Sequence, residues 1–148
     1  MSNRVLIAGD EVNIVIALKF LMEQAGYQVE VARTADATIE SLQRFPADVM
    51  LLDVLAPGID GFAILQRVRQ NPAWQPVAVI LIIAKGREVE VTRGLALGAS
   101  AYITKPFAAR ELLAEVQRWL DPQSRDGTFV EESTMGGLRG NGSITVGQ

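Results

Sequence analysis

The chain has 148 residues, 49% hydrophobic and 21% charged, with a net charge of −3. That length holds one domain with a sizeable core, and the acidic balance gives no electrostatic reason to expect nucleic acid or an anionic membrane surface as a partner. There is neither cysteine nor histidine, which excludes disulfides, thiolate and imidazole metal sites, and most nucleophile–base hydrolase chemistry. The chain cannot itself be a histidine phosphodonor.

The opening residues, MSNRVLIAGDE, carry no long apolar segment of the secretory kind, and the most apolar run, Val77–Ala84, is too short to span a bilayer. A cytoplasmic protein is the simplest expectation.

In chain order, the first apolar run is RVLIA (Arg4–Ala8). Val12–Ala25 follows with Ile14, Ala17, Leu18, Leu21, Met22 and Ala25 at helical spacing, and Gly26 supplies a left-handed cap. QVEVA (Gln28–Ala32) alternates and suits an edge strand; Thr34 caps a second helix carrying Ile39 and Leu42. DVMLLD (Asp48–Asp53) is continuous and apolar until it ends on a carboxylate. Gly61–Gln70 is a third helix, stopped by Asn71–Pro72. VAVILII (Val77–Ile83) is a fourth strand, Glu88–Leu97 a fourth helix closed by Gly98, AYIT (Ala101–Thr104) a fifth strand, and Ala108–Leu120 a fifth helix with Leu112, Leu113, Val116 and Leu120 inward. Continuous apolar strands alternating with amphipathic helices predict a parallel α/β sheet, doubly wound by right-handed crossovers. The domain covers residues 1–121. Residues 122–148, which include GGLRGNGS, have no core-forming period and read as a flexible tail or linker.

Ligands of such sheets bind outside the carboxyl ends of the strands. There the sequence places Asp10 and Glu11 after the first strand, Asp53 after the third, Ile83–Lys85 after the fourth and Lys105–Pro106 after the fifth. Asp10 and Asp53 repel unless a cation lies between them, and hard oxygen ligands with room for water suit Mg²⁺. Lys105 adds a point charge suited to a phosphoryl oxygen. Neither GxxxxGK[ST] nor GxGxxG is present, so a nucleotide-binding loop is not supported. Taken singly, an Asp at a strand end is ordinary turn chemistry; the argument rests on these residues falling together.

LLDVLAPGIDGF and GLALGASAYITKPF resemble the receiver domains of two-component response regulators, over about Arg4 to Leu120. The resemblance implies a flavodoxin-like five-stranded parallel sheet of order 2-1-3-4-5 with five helices. It implies phosphoryl transfer to Asp53 from a sensor histidine kinase or phosphotransfer protein. Asp10, Asp53 and the backbone carbonyl of Leu55 would hold Mg²⁺, Lys105 would grip the phosphoryl group, Tyr102 matches the aromatic switch, and Lys105–Pro106 would be cis. Such a domain is a phosphoacceptor in signalling rather than an enzyme in the usual sense, with at most self-phosphorylation and autodephosphorylation of its own.

Two positions depart from that pattern. Gly9 stands where the family usually has a first acid, so the Mg²⁺ site should be weak, and the neighbouring Glu11 is expected to point elsewhere. Ile83 stands where the family has Ser or Thr, so the hydroxyl that answers the phosphoryl group is missing, and Ile is stiff and apolar. A phosphorylation-independent pseudo-receiver, acting as an interaction module, is therefore the alternative function. A flavin-binding or hydrolytic enzyme of the same fold is disfavoured by the missing phosphate loop and absent His and Cys. Output should pass through the face formed by the fourth helix, fifth strand and fifth helix, where Arg87, Glu88, Glu90, Arg93, Arg110, Glu111 and Arg118 are expected on exposed faces. Relatives with similar segments form a two-fold homodimer there, although Ala101 replaces an acid common in them.

Overall fold

The computed structural model of the chain describes residues 3–54 and 59–120. The Leu55 carbonyl and the 122–148 tail lie outside them. The elements are β1 (Arg4–Ala8), α1 (Val12–Gln24), β2 (Gln28–Ala32), α2 (Ala35–Arg44), β3 (Val49–Asp53), α3 (Gly61–Gln70), β4 (Ala78–Ala84), α4 (Glu88–Ala96), β5 (Ala101–Lys105) and α5 (Ala109–Leu120). The strands are all parallel, in the order β2-β1-β3-β4-β5. The alternating QVEVA strand is an edge, as its pattern implies, and the continuous runs β1, β3 and β4 are the covered centre.

Side chains of a strand alternate between faces, so each central strand feeds two cores. Leu6, Ala8, Met50, Leu52, Val79, Leu81 and Ile83 pack on one side with Ile39, Leu42, Phe62, Leu65 and Val68. Val5, Ile7, Val49, Leu51, Ile80 and Ile82 pack on the other, against Val15, Leu18 and Met22 of α1 and Leu112 and Val116 of α5. Burying each such Leu, Ile or Met contributes roughly 1.5–3 kcal/mol, which makes this double core the main support of the sheet.

Local signals fix the helix ends. Thr34 Oγ1 accepts from the Ala37 amide at 3.0 Å and Asp60 Oδ1 from the Ala63 amide at 3.1 Å, each an N-cap. Gly26 and Gly98 have φ of +94° and +106°, the left-handed caps that end α1 and follow α4. Gly61 has a different reason: a Cβ there would come within 2.7 Å of the Val54 Cα, so only glycine lets α3 begin against the end of β3.

The α1 face differs from its predicted phase. Val15, Leu18 and Met22 are its buried residues, Ile14 and Leu21 are partly buried, and Ala17 and Ala25 are exposed. Val12, Ile16 and Phe20, one turn apart, are left 47%, 58% and 58% exposed. No described helix is long and apolar enough to cross a membrane.

Candidate functional site

The register of the sheet sets the site. Asp53 is level with Ile82 on β4, and Ala84 is level with Lys105 on β5, so the acid and the lysine end strands on either side of β4, at the same edge. By alternation Asp53 shares the face of Val49 and Leu51, and Lys105 that of Ala101 and Ile103; both look toward the side covered by α1 and α5. Across this edge Lys105 Nζ donates to Asp53 Oδ2 at 3.1 Å. The Asp53 side chain is only 4% exposed and that of Lys105 19%. A carboxylate so buried requires a charge partner or hydrogen bonds, and the ammonium is one such partner.

Gly9 continues β1 toward this point, its amide donating to the Ala32 carbonyl at 3.0 Å. A Cβ at Gly9 would lie 3.4 Å from the Asp53 Cβ and 3.6 Å from Val15 Cγ2, which is ordinary contact. Position 9 therefore faces Asp53 directly, and it admits a Cβ without a clash. Asp10 follows, half-buried, and then Glu11 at the N-cap of α1. Contrary to expectation, Glu11 does turn into the site: its Oε1 is 3.8 Å from Lys105 Nζ. Among the described residues no three acidic side chains gather as a ready metal cluster. The acids that follow β1 and end β3, Asp10 and Asp53, offer hard carboxylate oxygens of the kind Mg²⁺ takes, with water completing its shell.

On the opposite face lie Ile83 and Tyr102. Ile83 is fully buried, one residue beyond the level of Asp53 and beside Thr104; Tyr102 packs partly buried against the same core. The Lys105–Pro106 bond is cis. Asp10, Glu11, Asp53, Ile83 and Lys105 thus lie at or next to one edge, whereas Tyr102 is level with Leu81, farther inside the sheet. The reach of Glu11 and the exposed stripe of α1 were missed. A polar residue at an N-cap position and the surplus of apolar residues in α1 were the available signals.

Farther along the same edge Arg87 clasps Glu90 with bonds of 2.8 and 3.1 Å, a hydrogen bond that holds the Glu90 carboxyl below its ordinary range. Arg93 lies over the Phe62 ring at 4.3 Å, linking α4 to α3. On α5 Arg118 is matched within its own helix by Glu115 at 3.3 Å.

A strand-end aspartate and lysine on a 2-1-3-4-5 parallel sheet are the features of one family. The model of the response regulator receiver domain matches residues 5–117, and the chain belongs to that family. It is 35% identical over 121 residues to the phosphate regulon transcriptional regulatory protein PhoB of Rhizobium meliloti (strain 1021), covering 81% of this chain and 53% of that protein. With the sensory transduction protein RegX3 of Mycobacterium tuberculosis (strain ATCC 25618 / H37Rv) it shares 36% over 131 residues, covering 88% and 56%. The chain thus spans about half the length of the curated relatives it matches. Among solved structures it is similar to a response regulator from Chloroflexus aurantiacus J-10-fl (TM-score 0.78, 30% identity, 81% of this chain and 98% of that one). It is also similar to the chemotaxis response regulator CheY4 of Vibrio cholerae (TM-score 0.74, 26% identity, 80% and 99%).

Removing the ammonium from a buried carboxylate is strongly destabilising, by about 3 kcal/mol or more. Lys105→Met should therefore lower the free energy of urea unfolding by that order, and adding Asp53→Asn should recover at least half of the loss. If the two substitutions simply add, the pair does not hold this edge together.

Proposed function

We propose that this receiver domain accepts a phosphoryl group on Asp53 from a phosphohistidine of a sensor kinase or phosphotransfer protein. The observation that carries the reading is the buried Asp53 carboxylate at a strand mouth, with the Lys105 ammonium 3.1 Å away. In the transfer an Asp53 carboxylate oxygen bonds to phosphorus while the phosphorus–nitrogen bond of the donor breaks. The electron pair returns to the imidazole nitrogen, and the ring leaves neutral when its other nitrogen already carries a proton. Lys105 then meets the charge on the phosphoryl oxygens. Asp10 and Asp53 are the residues that would hold Mg²⁺, which when bound neutralises charge on the transferring group.

The exposed stripe Val12–Ile16–Phe20 supports the partner side of the reading. It starts directly after Glu11, at the edge where a donor imidazole must enter, so the donor protein has an apolar helix face continuous with the site. The face of α4, β5 and α5 serves output. Arg118 is already matched by Glu115 in its own helix and Ala101 brings no carboxylate, so docking of an output partner suits this face better than an ion-paired two-fold.

The second reading, a pseudo-receiver, is favoured by Ile83. It fills the core beside Tyr102 with no donor to offer a phosphoryl oxygen. In this reading the domain binds its partner independently of phosphorylation, and any loading of Asp53 does not reach Tyr102.

Three outcomes follow. Acetyl phosphate with Mg²⁺ should label the wild type, and Asp53→Asn should abolish the label; label surviving there moves the site elsewhere. Ile16→Ser with Phe20→Ser should slow transfer from a partner kinase about tenfold or more, two apolar contacts being lost, yet leave acetyl phosphate labelling within about twofold. Equal loss from both donors would mean damage to the site and not to docking.

The metal site is expected to be weak for want of an acid at position 9. Gly9→Asp, which the local space admits at Cβ, should tighten Mg²⁺ binding by an amount on the order of 1 kcal/mol. Calorimetry is the suitable readout, because Trp74 and Trp119 line a recess with Asn3 and Asp48 at the opposite ends of the strands. Unchanged affinity would make the missing acid irrelevant.

Beryllofluoride, a phosphoryl mimic, should leave amide shifts around Tyr102 and α4 nearly unmoved in the wild type. Ile83→Thr should restore a response, since a hydrogen bond to a charged group supplies roughly 1.5–3 kcal/mol. Large shifts at Tyr102 in the wild type would overturn the pseudo-receiver reading.

A further inference from the structure

Glu11 occupies the N-cap position of α1 and does not cap it: its side chain makes no hydrogen bond to the first turn. Short Ser, Thr, Asp or Asn side chains placed there accept from an N2 or N3 amide, as Thr34 and Asp60 do elsewhere in this fold. The Glu11 carboxylate reaches instead across the strand ends, with Oε1 3.8 Å from Lys105 Nζ. At that distance it is an ion pair and not a hydrogen bond. The same ammonium donates to Asp53 at 3.1 Å. One cation is therefore shared between two carboxylates, one buried and one half-exposed.

We propose that Glu11 is a positioning residue that competes with the phosphoryl group of Asp53 for the Lys105 ammonium, and so holds the site toward its unmodified state. This rests on the reading of Asp53 as phosphoacceptor. A lysine ammonium is one compact point charge on a flexible stem. A phosphoryl group added to Asp53 brings further negative charge and strong acceptor oxygens to the place where that charge now sits. Glu11 must then give up the ammonium, and its own carboxylate is left near like charge. The effect is modest because Glu11 is 54% exposed and solvent screens it. Gly9 bears on the competition: with no side chain at position 9, Asp10 and Glu11 are the acids that the β1–α1 junction brings to this edge.

Two roles for Glu11 are separable. As a competitor for Lys105, its loss of charge favours an occupied Asp53 and leaves metal binding nearly untouched. As a metal ligand replacing the acid missing at position 9, its loss weakens metal binding and occupancy together.

The test measures the affinity of the intact chain for beryllofluoride in saturating Mg²⁺ by fluorine NMR, and its affinity for Mg²⁺ alone by calorimetry. Wild type, Glu11→Gln and Glu11→Asp are compared. Glu11→Gln should bind beryllofluoride about two- to fivefold more tightly, the worth of a half-exposed ion pair, while Mg²⁺ affinity changes less than about twofold on the same grounds. Glu11→Asp, too short to keep its place beside Lys105, should follow Glu11→Gln. Beryllofluoride affinity that is unchanged or weaker in Glu11→Gln overturns the proposal, and a parallel loss of Mg²⁺ affinity assigns Glu11 to the metal. If the wild type binds beryllofluoride and Asp53→Asn does not, these outcomes concern Glu11 alone. If neither binds it, the phosphoacceptor reading falls and the competition with it.

Discussion

The ion pair between Lys105 and Asp53 is the constraint from which the other features of this edge follow. A carboxylate at the mouth of a buried parallel strand is tolerable only with compensating charge or hydrogen bonds. Lys105 comes from a strand far along the chain, so the pair forms only when β3, β4 and β5 lie in register. The level of Asp53 with Ile82, and of Lys105 with Ala84, lets the two side chains meet across the end of β4. A slip of one residue would send Asp53 into the opposite core. The same register that buries the apolar runs therefore aligns the Asp53 carboxylate with its counter-charge.

Alternation along the strands divides the edge into two compartments with different physics. On the α1 and α5 side are Gly9, Asp53 and Lys105, where charge is gathered and where a Cβ at position 9 meets only ordinary contacts. On the α2, α3 and α4 side are Ile83 and Tyr102, held by packing. Electrostatic changes act over several ångströms and are graded, whereas packed side chains move between discrete rotamers. Arg93 over Phe62 adds a further tie between α4 and α3 on the packed side. Loading of the first compartment reaches the second only through a group that touches both.

Much of this was legible in the sequence because the signals were unambiguous. β1, β3 and β4 are continuous apolar runs with polar or glycine boundaries, so their ends fell within one or two residues. Thr34, Gly26 and Gly98 mark caps by chemistry that has few alternatives. The phase of α1 was not legible. Val12, Ile14, Val15, Ile16, Ala17, Leu18, Phe20, Leu21 and Met22 are apolar almost all the way round the helix, so the sequence does not say which stripe faces the sheet. Packing against α5 and β1 chose Val15, Leu18 and Met22, and left Val12, Ile16 and Phe20 outside. The turn of Glu11 toward Lys105 was hidden for a related reason. A flexible side chain chooses between a local amide and a distant cation, and only the assembled sheet reveals the cation.

The two departures from the family pattern sit in different compartments, and this determines what each can alter. Gly9 removes charge from the side where a phosphoryl group would be loaded; it bears on how firmly metal and phosphoryl group are held. Ile83 removes a hydrogen-bond donor from the side where loading would be sensed; it bears on how differently the two conformations answer. A modification shifts a conformational equilibrium only by the difference in its interaction free energy with the two states. Weak loading with an intact sensor still gives a switch, merely a sparsely populated one. Firm loading with no differential contact gives none, however complete the modification. On the proposed function, Ile83 is thus the graver change for signalling, and Gly9 the graver change for chemistry. A domain carrying both keeps the fold and the Lys105–Asp53 pair, because neither depends on the missing groups.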